Sequence, residues 1–534
     1  MASPTTTPIA TALLHLSPRD QVAVALQSLP AGEISFHGRT LHLPEPIPAG
    51  HKFAVEEIAA GTWLLKYGQP FAIARQAIPS GGHVHVHNVR AITPEDVRPS
   101  AILQGEATPY GRSPLPVPAA SSPPLTFAGY RRPDGRAATR NYVAVIGTVN
   151  CSSTVVRQIV RAISPDLLAQ YPNVDGVIPL VHTGGCAMEY GGFDHRQLAR
   201  ILAGYARHPN IGAYLLVGLG CETGQGSFLI EQEGLVQLRA ATNSPVAESQ
   251  PPLLINIQEA GGLRKTTDRA LAALRELLPE ANRVSRVTIP AGELVVGLKC
   301  GGSDGYSGLT ANPALGIASD LLIAQGGTTI LAETPEIFGG EHLLAARAVS
   351  QEVSDRLLAK VAWWREYAAK FGTSLDGNPS FGNKQGGLTT IVEKSLGAIT
   401  KGGSAPLVDV IDYAGKLTTR GLNFMDSPGY DPASVTGMIA SGAHIVCFTT
   451  GRGSCFGSKP APTLKISSTT GLFERLPEEM DFDAGAVITG RPLADVGRRL
   501  LEKILETASG TRTASERQGF GDDEFFPWTP GPVL

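Results

Sequence analysis

The sequence predicts an α/β protein: a small β-rich domain, a proline-rich linker, and two α/β lobes with mainly parallel sheets. Three observations predict this. The chain has 534 residues, enough for about three domains at roughly 100 to 200 residues each. Short strand-like runs bounded by Pro and Gly dominate its first hundred residues. After the prolines, apolar strands alternate with helical stretches, which is typical of βαβ units.

The first domain, predicted over residues 1–108, contains short runs such as EISFHG, RTLHLP and HVHVHNV. Strand alternation in the last run places three imidazoles on one face, and a fourth comes from PAGHKFAV. Neutral imidazoles suit iron, manganese or zinc. The residues predicted as metal ligands are His51, His83, His85 and His87. The competing interpretation is a solvated edge strand whose histidines alternate by chance.

The linker, predicted over residues 109–127, carries six prolines among small polar residues and is typical of an extended connection. Apolar strands follow at NYVAVIGTV, VDGVIPLVH and AYLLVGLG, each before a helix-compatible stretch. A second series begins at ELVVGLK. We therefore predict one α/β lobe over 128–290 and another over 291–534.

Three cysteines follow directly after predicted strands of the first lobe, and both intervals between them are 35 residues: Cys151, Cys186 and Cys221. That interval fits one βαβ crossover, so adjacent parallel strands can bring the thiols to the sheet edge where ligands bind. Three thiolates can hold a 4Fe-4S cluster and leave one iron open. The competing interpretation is that they are small hydrophobic residues buried for packing. Cys300 also ends an apolar run and opens a Gly-rich turn.

Titratable residues beside the cysteine-bearing turns are candidates for general acid and base: His182, Glu222, Lys299 and Asp304. Several Gly-rich segments offer backbone N–H groups to carboxylate or phosphate oxygens. Arg452 and Lys384 add positive charge to two of these loops. None of the segments matches a dinucleotide or nucleotide fingerprint, so they favour an anion over a nucleotide cofactor.

The overall composition excludes several classes of function. The formal net charge is −3, with acids and bases spread along the chain, which predicts no nucleic-acid partner. No apolar run approaches the roughly 20 residues that span a bilayer, so no membrane partner is expected. The first residues lack a basic, then apolar, leader pattern, which predicts a cytoplasmic protein with reduced cysteines. A closed homo-oligomer, by default a dimer, is expected.

Many segments together resemble one known family. The segments HKFAV, KYGQPFAIA and GGHVHVHN are similar to the SAF-type N-terminal domain, a β-clip, of the altronate and galactarate dehydratases. The large domain of that family is resembled by GYRRPDGRAATRN, TVNC, HTGGC, GLGCE, GLKCGGSDGYSGLTANP, NPSFGNKQGGLTT, EKSLG, FTTGRGS and DFDAG. These segments occur in order from about residue 15 to 520, and the histidine repeat favours the altronate branch.

The resemblance implies a carbon–oxygen lyase that dehydrates a sugar acid, altronate first, to a 2-keto-3-deoxy acid. It also implies a divalent metal, iron(II) first and manganese second. The residues themselves leave two alternatives open for the metal centre: an ion held by the histidines, or a 4Fe-4S cluster held by the three cysteines. Substrate contacts from Asn312, Asn383 and Lys384 are expected from the family segments alone. The chain departs from the altronate pattern at HTGGC and at Cys455 in GRGSCFG, which leaves the sugar acid open.

Three other functions compete with this interpretation. Galactarate is an alternative substrate, and a carbon–sulfur lyase acting on sulfolactate uses the same two-part plan. A noncatalytic sugar-acid-binding protein is the alternative of another class. An NAD-linked oxidoreductase is disfavoured because the nucleotide fingerprint is missing.

Overall fold

A computed structural model describes residues 12–93, 96, 124–239 and 248–530. Residues 109–123 of the predicted linker lie outside this part of the chain, as do the ends of the predicted first domain. The predicted fold class is confirmed: a β-rich N-terminal region precedes an α/β region with a seven-stranded parallel sheet. No helix of the described residues is both long and apolar enough to cross a membrane.

The front region is built from short antiparallel strands. Its described strands are β1 (Leu13–Leu14), β2 (Val22–Ala25), β3 (Gly32–Phe36), β4 (Arg39–Leu43), β5 (Lys52–Ala54), β6 (Trp63–Lys66), β7 (Gln69–Ala74), β8 (His83–Val84) and β9 (Val89–Arg90). They form a sheet in the order β1-β2-β5-β8, a hairpin β3-β4 and a sheet β6-β7-β9. The HVHVHN segment is extended only at β8 and then turns, so it is shorter than the predicted strand.

The first lobe carries a four-stranded sheet in the order β13-β12-β14-β17, with every pair parallel. Its described elements, with a flanking antiparallel sheet β11-β10-β18, are β10 (Thr126–Arg131), β11 (Ala137–Ala138), β12 (Tyr142–Gly147), α1 (Ser153–Arg161), α2 (Pro165–Leu168), β13 (Gly176–Leu180), α3 (Phe193–Ala206), β14 (Ile211–Gly218), α4 (Gly226–Glu231), β15 (Gln237–Arg239), β16 (Glu248–Gln250), β17 (Leu254–Asn256), α5 (Ile257–Ala260), α6 (Leu263–Ala281) and β18 (Arg286–Pro290). All six residues of β12 are buried, as expected for a strand covered on both faces.

The second lobe is built on a parallel sheet in the order β21-β22-β20-β19-β23-β24-β25. Its described elements are β19 (Val295–Cys300), α7 (Ala311–Ala324), β20 (Thr328–Ala332), α8 (Glu341–Ala345), α9 (Gln351–Lys370), α10 (Phe381–Gln385), α11 (Ile391–Ile399), β21 (Leu407–Ile411), β22 (Leu422–Met425), α12 (Asp431–Ala440), β23 (Ile445–Thr450), β24 (Thr463–Ser467), α13 (Thr470–Arg475), β25 (Phe482–Asp483), α14 (Leu493–Ala508) and α15 (Ala514–Arg517). The chain fills one side of β19 first and then returns to the other, so the topological switch point lies between β19 and β23. Ligands of open α/β sheets bind at the carboxyl ends of such strands.

A buried ion pair cluster joins the front region to the second lobe. The Nζ atom of Lys52 lies 2.9 Å from Oε1 of Glu393, and that of Lys66 lies 2.8 Å from the same oxygen. All three side chains are almost completely buried. Because β5 carries Lys52 next to His51, this contact also positions the predicted histidine ligands against the second lobe.

Candidate active site

A cluster of buried charged side chains lies at the carboxyl ends of β19 and β20. Its members, called here the lysine–glutamate cluster, are Lys299, Cys300, Glu333, Glu336, Lys394, Lys401 and Asp431. Lys299 and Cys300 are the last two residues of β19, whereas Glu333 directly follows β20. All members except Asp431 are buried, and the side chain of Asp431 is 36% exposed. The cluster thus lies at the predicted edge, with one carboxylate facing outward.

Short contacts connect the members in pairs. The Nζ atom of Lys299 lies 2.5 Å from Oε1 of Glu333 and 2.6 Å from Oδ1 of Asp431. Lys394 contacts Glu336 with an Nζ–Oε1 distance of 2.6 Å. Lys401 donates to the Sγ atom of Cys300 at 2.8 Å.

The two buried glutamates of this cluster have opposite pKa shifts. Burial, reinforced by the neighbouring Glu336, raises the pKa of Glu333 to about 8, although Lys299 opposes the rise. Burial alone would also raise the pKa of Glu336, but Lys394 and Lys299 lower it to about 2. Burial disfavours the charged form of Lys299, yet Asp431 and Glu333 raise its pKa well above the usual value. Two buried carboxyl groups with pKa values shifted in opposite directions therefore lie beside an ammonium group, which is a pattern typical of acid–base sites.

Glu333 also has an unusual backbone conformation. Its φ and ψ angles are 75° and 73°, in the left-handed region that is uncommon for residues other than glycine. Such conformations cost about 1 to 3 kcal/mol and cluster at functional sites. The turn directs the chain from β20 into the short helical segment that carries Glu336.

The predicted histidine group is assembled by the front region. His51 directly precedes β5, and His83 begins β8, the antiparallel partner of β5. The Nδ1 atom of His51 lies 3.0 Å from Nε2 of His83. The ring of His85 stacks on that of His51 at 4.9 Å between centroids, and the rings of His83 and His87 lie 5.6 Å apart.

Backbone carbonyls of the second lobe hold two of these rings. His51 Nε2 lies 3.1 Å from the carbonyl oxygen of Gln385, and His85 Nε2 lies 2.8 Å from that of Lys384. A neutral ring that donates from Nε2 keeps a lone pair on Nδ1. Burial lowers the pKa of His83 to about 3 and that of His85 to about 4, so these rings are neutral at neutral pH.

The turn that supplies these carbonyls connects the histidine group to the end of β19. The Asn383 side chain donates to the carbonyl of Ser303 at 2.8 Å, and the N–H of Gly305 donates to the carbonyl of Gly386 at 2.7 Å. Ser303 comes three positions after Cys300, a span of at most about 11 Å. The histidine group and the lysine–glutamate cluster therefore flank the same loop.

The predicted residues Asp304, Arg452 and Asn312 also lie near this loop. The buried Asp304 carboxylate accepts hydrogen bonds from Ser307 and Ser468, and burial raises its pKa. The N–H of Arg452 donates to the carbonyl of Gly302 at 2.8 Å. The buried Asn312 amide bonds Thr449 and the carbonyl of Gly397, a set of contacts that holds α7 to its neighbours.

The remaining predicted residues lie at the carboxyl edge of the first lobe. The three cysteines are solvent exposed and follow β12, β13 and β14. His182 is buried, burial lowers its pKa to about 4, and its Nε2 atom lies 3.0 Å from the carbonyl of Gly147. Glu222 accepts from the Thr148 hydroxyl at 2.8 Å and from the Gly220 N–H at 2.6 Å. The predicted site residues thus lie in two places, at the carboxyl edge of the first-lobe sheet and around the carboxyl edge of the second-lobe sheet.

Three family models match consecutive parts of the chain. The altronate/galactarate dehydratase SAF domain matches residues 11–92. The second domain of D-galactarate dehydratase/altronate hydrolase matches 129–282, and the D-galactarate/altronate dehydratase C-terminal domain matches 291–533. The altronate dehydratase of Bacillus subtilis (strain 168) is 34% identical over 515 residues, covering 96% of this chain and 98% of that protein.

The chain belongs to the altronate/galactarate dehydratase family. Two proteins of Escherichia coli (strain K12) are similar over comparable lengths. Its altronate dehydratase is 36% identical, covering 95% of this chain and 97% of that protein. Its galactarate dehydratase (L-threo-forming) is 36% identical, covering 92% of both chains. The predicted family and the predicted enzyme class, a dehydratase, are therefore confirmed.

Two groups in this dehydratase offer metal ligands, although among the described residues the histidines do not bring three ligand atoms within 4.8 Å of one another. Among the described residues, ligand atoms of Cys300, Glu333 and Glu336 lie within 4.8 Å of one another. Each of these residues already contacts a lysine ammonium group, which a metal cation would have to displace. The histidines instead offer neutral lone pairs. Nitrogens bound at right angles to one metal at about 2.1 Å lie about 3.0 Å apart, which is the separation seen between His51 and His83.

The sequence reasoning missed most of the lysine–glutamate cluster. It singled out Lys299 and noted Cys300, but not the partners Glu333, Glu336, Lys394, Lys401 and Asp431. One signal was available, since AETPE directly follows the apolar run TTIL, a strand end like those that carry the cysteines. The two lysines come from α11 and the helical turn that follows it, and no local pattern marks them.

A large cavity of the dehydratase lies elsewhere. Its volume is about 1450 Å³, and its lining includes Val295 and Thr328, at the amino ends of β19 and β20. The members of the lysine–glutamate cluster and the histidine group do not line it. The chemistry-bearing side chains, not cavity size, therefore define the candidate active site.

Proposed function

We propose that the chain is a hydro-lyase that removes water from an aldonate or aldarate, with altronate as the first substrate, to give a 2-keto-3-deoxy acid. Three matching family models and the altronate and galactarate dehydratases among its relatives support this proposal. The observation that carries it is the buried contact between the Glu333 carboxyl group and the Lys299 ammonium group, 2.5 Å apart, at a strand edge next to the loop that the histidine group flanks.

The metal of this reaction is assigned to the histidine group. Metal-binding histidines donate their second ring N–H to a carbonyl or carboxylate, as His51 and His85 do toward Gln385 and Lys384. His51 and His83 would begin a site for a divalent ion, iron(II) first and manganese second. His85 and His87 would complete it by moving closer, because no three histidine ligand atoms of the described residues lie within 4.8 Å of one another. When bound, the ion supplies Lewis acidity toward the substrate carboxylate and its adjacent hydroxyl.

The cluster residues supply the proton transfers. Asp431 carries the most exposed carboxylate of the cluster and lies 2.6 Å from Lys299, so it is placed to take the alpha proton as general base. Glu333, protonated at neutral pH, donates its proton to the departing beta hydroxyl, which leaves as water. The resulting enol tautomerises to the 2-keto acid, and the overall balance is the loss of one water.

Charged groups of the neighbouring loops position the substrate. Lys299 stays protonated, so it acts as a fixed cation beside the carbanion-like carbon and not as a base. Arg452 and Lys384 are assigned to the substrate's carboxylate and hydroxyl oxygens, with the amide of Asn383 fixing the turn between them. Asp304 holds the 303–307 loop through its serine contacts. His182 and Glu222 use their polar atoms to hold the first lobe, so the acid–base roles expected of them pass to Glu333 and Asp431.

A substrate panel tests this proposal. The protein is purified anaerobically, supplied with iron(II) or manganese(II), and incubated separately with altronate, galactarate and sulfolactate. We expect 2-keto acid from altronate with a higher kcat/KM than from galactarate, and no sulfite from sulfolactate. Sulfite release would establish carbon–sulfur cleavage instead. Thermal stabilisation by altronate without any 2-keto acid would establish a binding protein. Light scattering on the same sample would test the expected dimer.

A further inference from the structure

The three cysteines of the first lobe follow three adjacent strands, a few residues beyond the strand ends. The central strand β12 pairs with β13 and β14, so that Ile146 lies level with Leu180 and Leu216. The cysteines follow this level by five or six residues on three adjacent strands: Cys151, Cys186 and Cys221. The equal intervals of 35 residues along the chain therefore place the three cysteines on neighbouring loops at the same edge of the sheet.

Hydrogen bonds between the three loops hold the cysteine-bearing segments together. The N–H of Asn150 donates to the carbonyl of Gly184 at 2.9 Å, and that of Gly224 donates to the carbonyl of Gly185 at 2.8 Å. The Thr148 hydroxyl donates to Glu222 at 2.8 Å. Each contact involves a residue within three positions of a cysteine. Contacts within the protein therefore hold the three cysteine-bearing loops next to one another.

Close packing at Gly185 reinforces this convergence. Its φ angle is +97°, and a Cβ atom placed there would lie 2.4 Å from the carbonyl oxygen of Thr148. Only glycine tolerates this combination. Ala187, on the other side of Cys186, has a φ angle of 56°, a strained value for a residue with a side chain. Cys186 is thus preceded by a glycine that must lack a side chain and followed by an alanine with a strained backbone.

The exposure of these thiols argues against a packing role. Free cysteine is among the most buried residue types, and Cys300 and Cys447 follow that rule. The three thiols of the first-lobe edge are all exposed and none is in a disulfide. The Gln258 amide donates to the Sγ atom of Cys221 at 3.3 Å, a contact of the kind that tunes cluster thiolates.

The neighbouring polar residues do not complete a four-ligand site. His182 has both ring nitrogens engaged, Nε2 with the carbonyl of Gly147 and Nδ1 with the N–H of Gly184. Both carboxylate oxygens of Glu222 accept hydrogen bonds within the loop. A structural zinc site needs four protein ligands, whereas a 4Fe-4S cluster can be held by three thiolates.

We propose that Cys151, Cys186 and Cys221 hold a 4Fe-4S cluster whose fourth iron has no protein ligand. The cluster is a second metal centre, in addition to the ion assigned to the histidine group, and it does not depend on the dehydratase activity. Because the three cysteines are exposed, the fourth iron would have an open position for a carboxylate or hydroxyl oxygen of a small molecule. The two ligand sets that the sequence offers as alternatives thus serve separate centres.

Iron and acid-labile sulfide content test this proposal without an activity assay. The full chain is purified anaerobically and reconstituted with iron(II) and sulfide. We expect about four sulfides per chain, as in a 4Fe-4S cluster, together with a broad visible absorption band. The Cys186→Ala variant should lose most of the sulfide and the band, as should Cys151→Ala and Cys221→Ala. Because these side chains are exposed, far-UV circular dichroism should be unchanged.

Two control variants separate the cluster from other metal binding. Cys455→Ala removes another exposed thiol, and His83→Ala alters the histidine group; both should keep the sulfide content of the wild type. Iron bound without sulfide, or wild-type sulfide in the three cysteine variants, would overturn the proposal. If a variant fails to fold, the sulfide content of the wild type decides by itself. Loss of dehydration in His83→Ala with intact sulfide would concern only the proposed function.

Discussion

His51 Nδ1 lies 3.0 Å from His83 Nε2, although 32 residues separate the two histidines along the chain. The pairing of β5 with β8 creates this contact, and the carbonyl of Gln385 fixes the ring of His51 from the second lobe. The site thus requires both the front region and the large region of the chain.

Removal of one ring should abolish metal binding at the histidine group. For His83→Ala we expect the affinity for iron(II) or manganese(II) to fall by more than about 100-fold, because loss of an outer-shell partner alone costs 10- to 100-fold. His42→Ala, an exposed histidine of β4, is the matched control and should bind metal normally. Metal titration by calorimetry measures both, and equal affinity in the two variants would remove the histidines from the site.

Replacement of the proposed acid should affect turnover more than binding. Glu333→Gln keeps the shape of the side chain but removes the proton donor, so kcat should fall by about 10² to 10⁴ with a small change in KM. The control Glu276→Gln alters an exposed glutamate of α6 and should retain wild-type kcat. Steady-state kinetics decide, and near-normal kcat in Glu333→Gln would exclude it as the acid.

The pH dependence of kcat follows from the raised pKa of Glu333. Burial keeps this group protonated up to about pH 8, so kcat should decline as the pH rises through that value. The groups that face it are Lys299, Asp431, Glu336 and Lys401. The raised pKa of Glu333 also makes the free energy of unfolding depend on pH. The folded protein holds this proton more tightly than the unfolded chain, so the contribution of Glu333 is present below about pH 4.5 and decreases toward pH 8. A kcat that rises steadily from pH 7 to 10 would contradict the assignment.

The buried carboxylate of Glu393 should be essential for the docking of the front region. Glu393→Gln leaves the ammonium groups of Lys52 and Lys66 with no buried countercharge, and we expect a loss of about 3 to 5 kcal/mol in the free energy of unfolding. These two lysines hold the pKa of Glu393 well below its ordinary value. Its contribution is therefore present above about pH 4.5 and is lost only in strong acid.

The control for this substitution is a partly exposed ion pair. Glu293→Gln removes the partner of Arg131, whose side chain is 38% exposed, and should cost less than about 1 kcal/mol. Chemical denaturation of both variants gives the comparison. Equal losses would show that the Glu393 contact contributes no more than a surface pair.

The cysteine loops should be sensitive to one added methyl group. Gly185→Ala combines a φ angle of +97° with a Cβ overlap against Thr148, so we expect a loss of about 3 kcal/mol and reduced cluster content. Gly191→Ala has a similar φ angle of +71° but open space around it, and should cost only about 1 kcal/mol. Thermal unfolding compares the two, and equal melting temperatures would show that the loops do not pack as described.

The sequence predicted those features that depend on local pattern. The buried strand β12 appears as an apolar run, and the cysteines are recognised because each follows such a run at equal spacing. The histidine rings were predicted to share a face, and they do meet, although the segment is a strand only at His83 and Val84 before it turns. The alternation predicted a longer strand. The chain instead turns after Val84, and tertiary contacts hold the histidine rings together.

The lysine–glutamate cluster could not be predicted in the same way. Lys394 and Lys401 lie about a hundred residues after Cys300, on a helix and on the turn after it, and they meet Glu336 and Cys300 only because α11 packs against the sheet. The raised pKa of Glu333 also depends on complete burial by residues distant in sequence. Such properties arise from the folded environment, whereas the sequence shows only a common glutamate after a strand.

The most direct test of the central claim is the mass of the product formed from altronate in deuterium oxide. The account predicts a 2-keto-3-deoxy acid that has lost one water and carries one carbon-bound solvent deuterium at C3, formed by the metal-loaded wild type and at a strongly reduced rate by Glu333→Gln. Unchanged altronate from metal-loaded, folded protein would contradict the account.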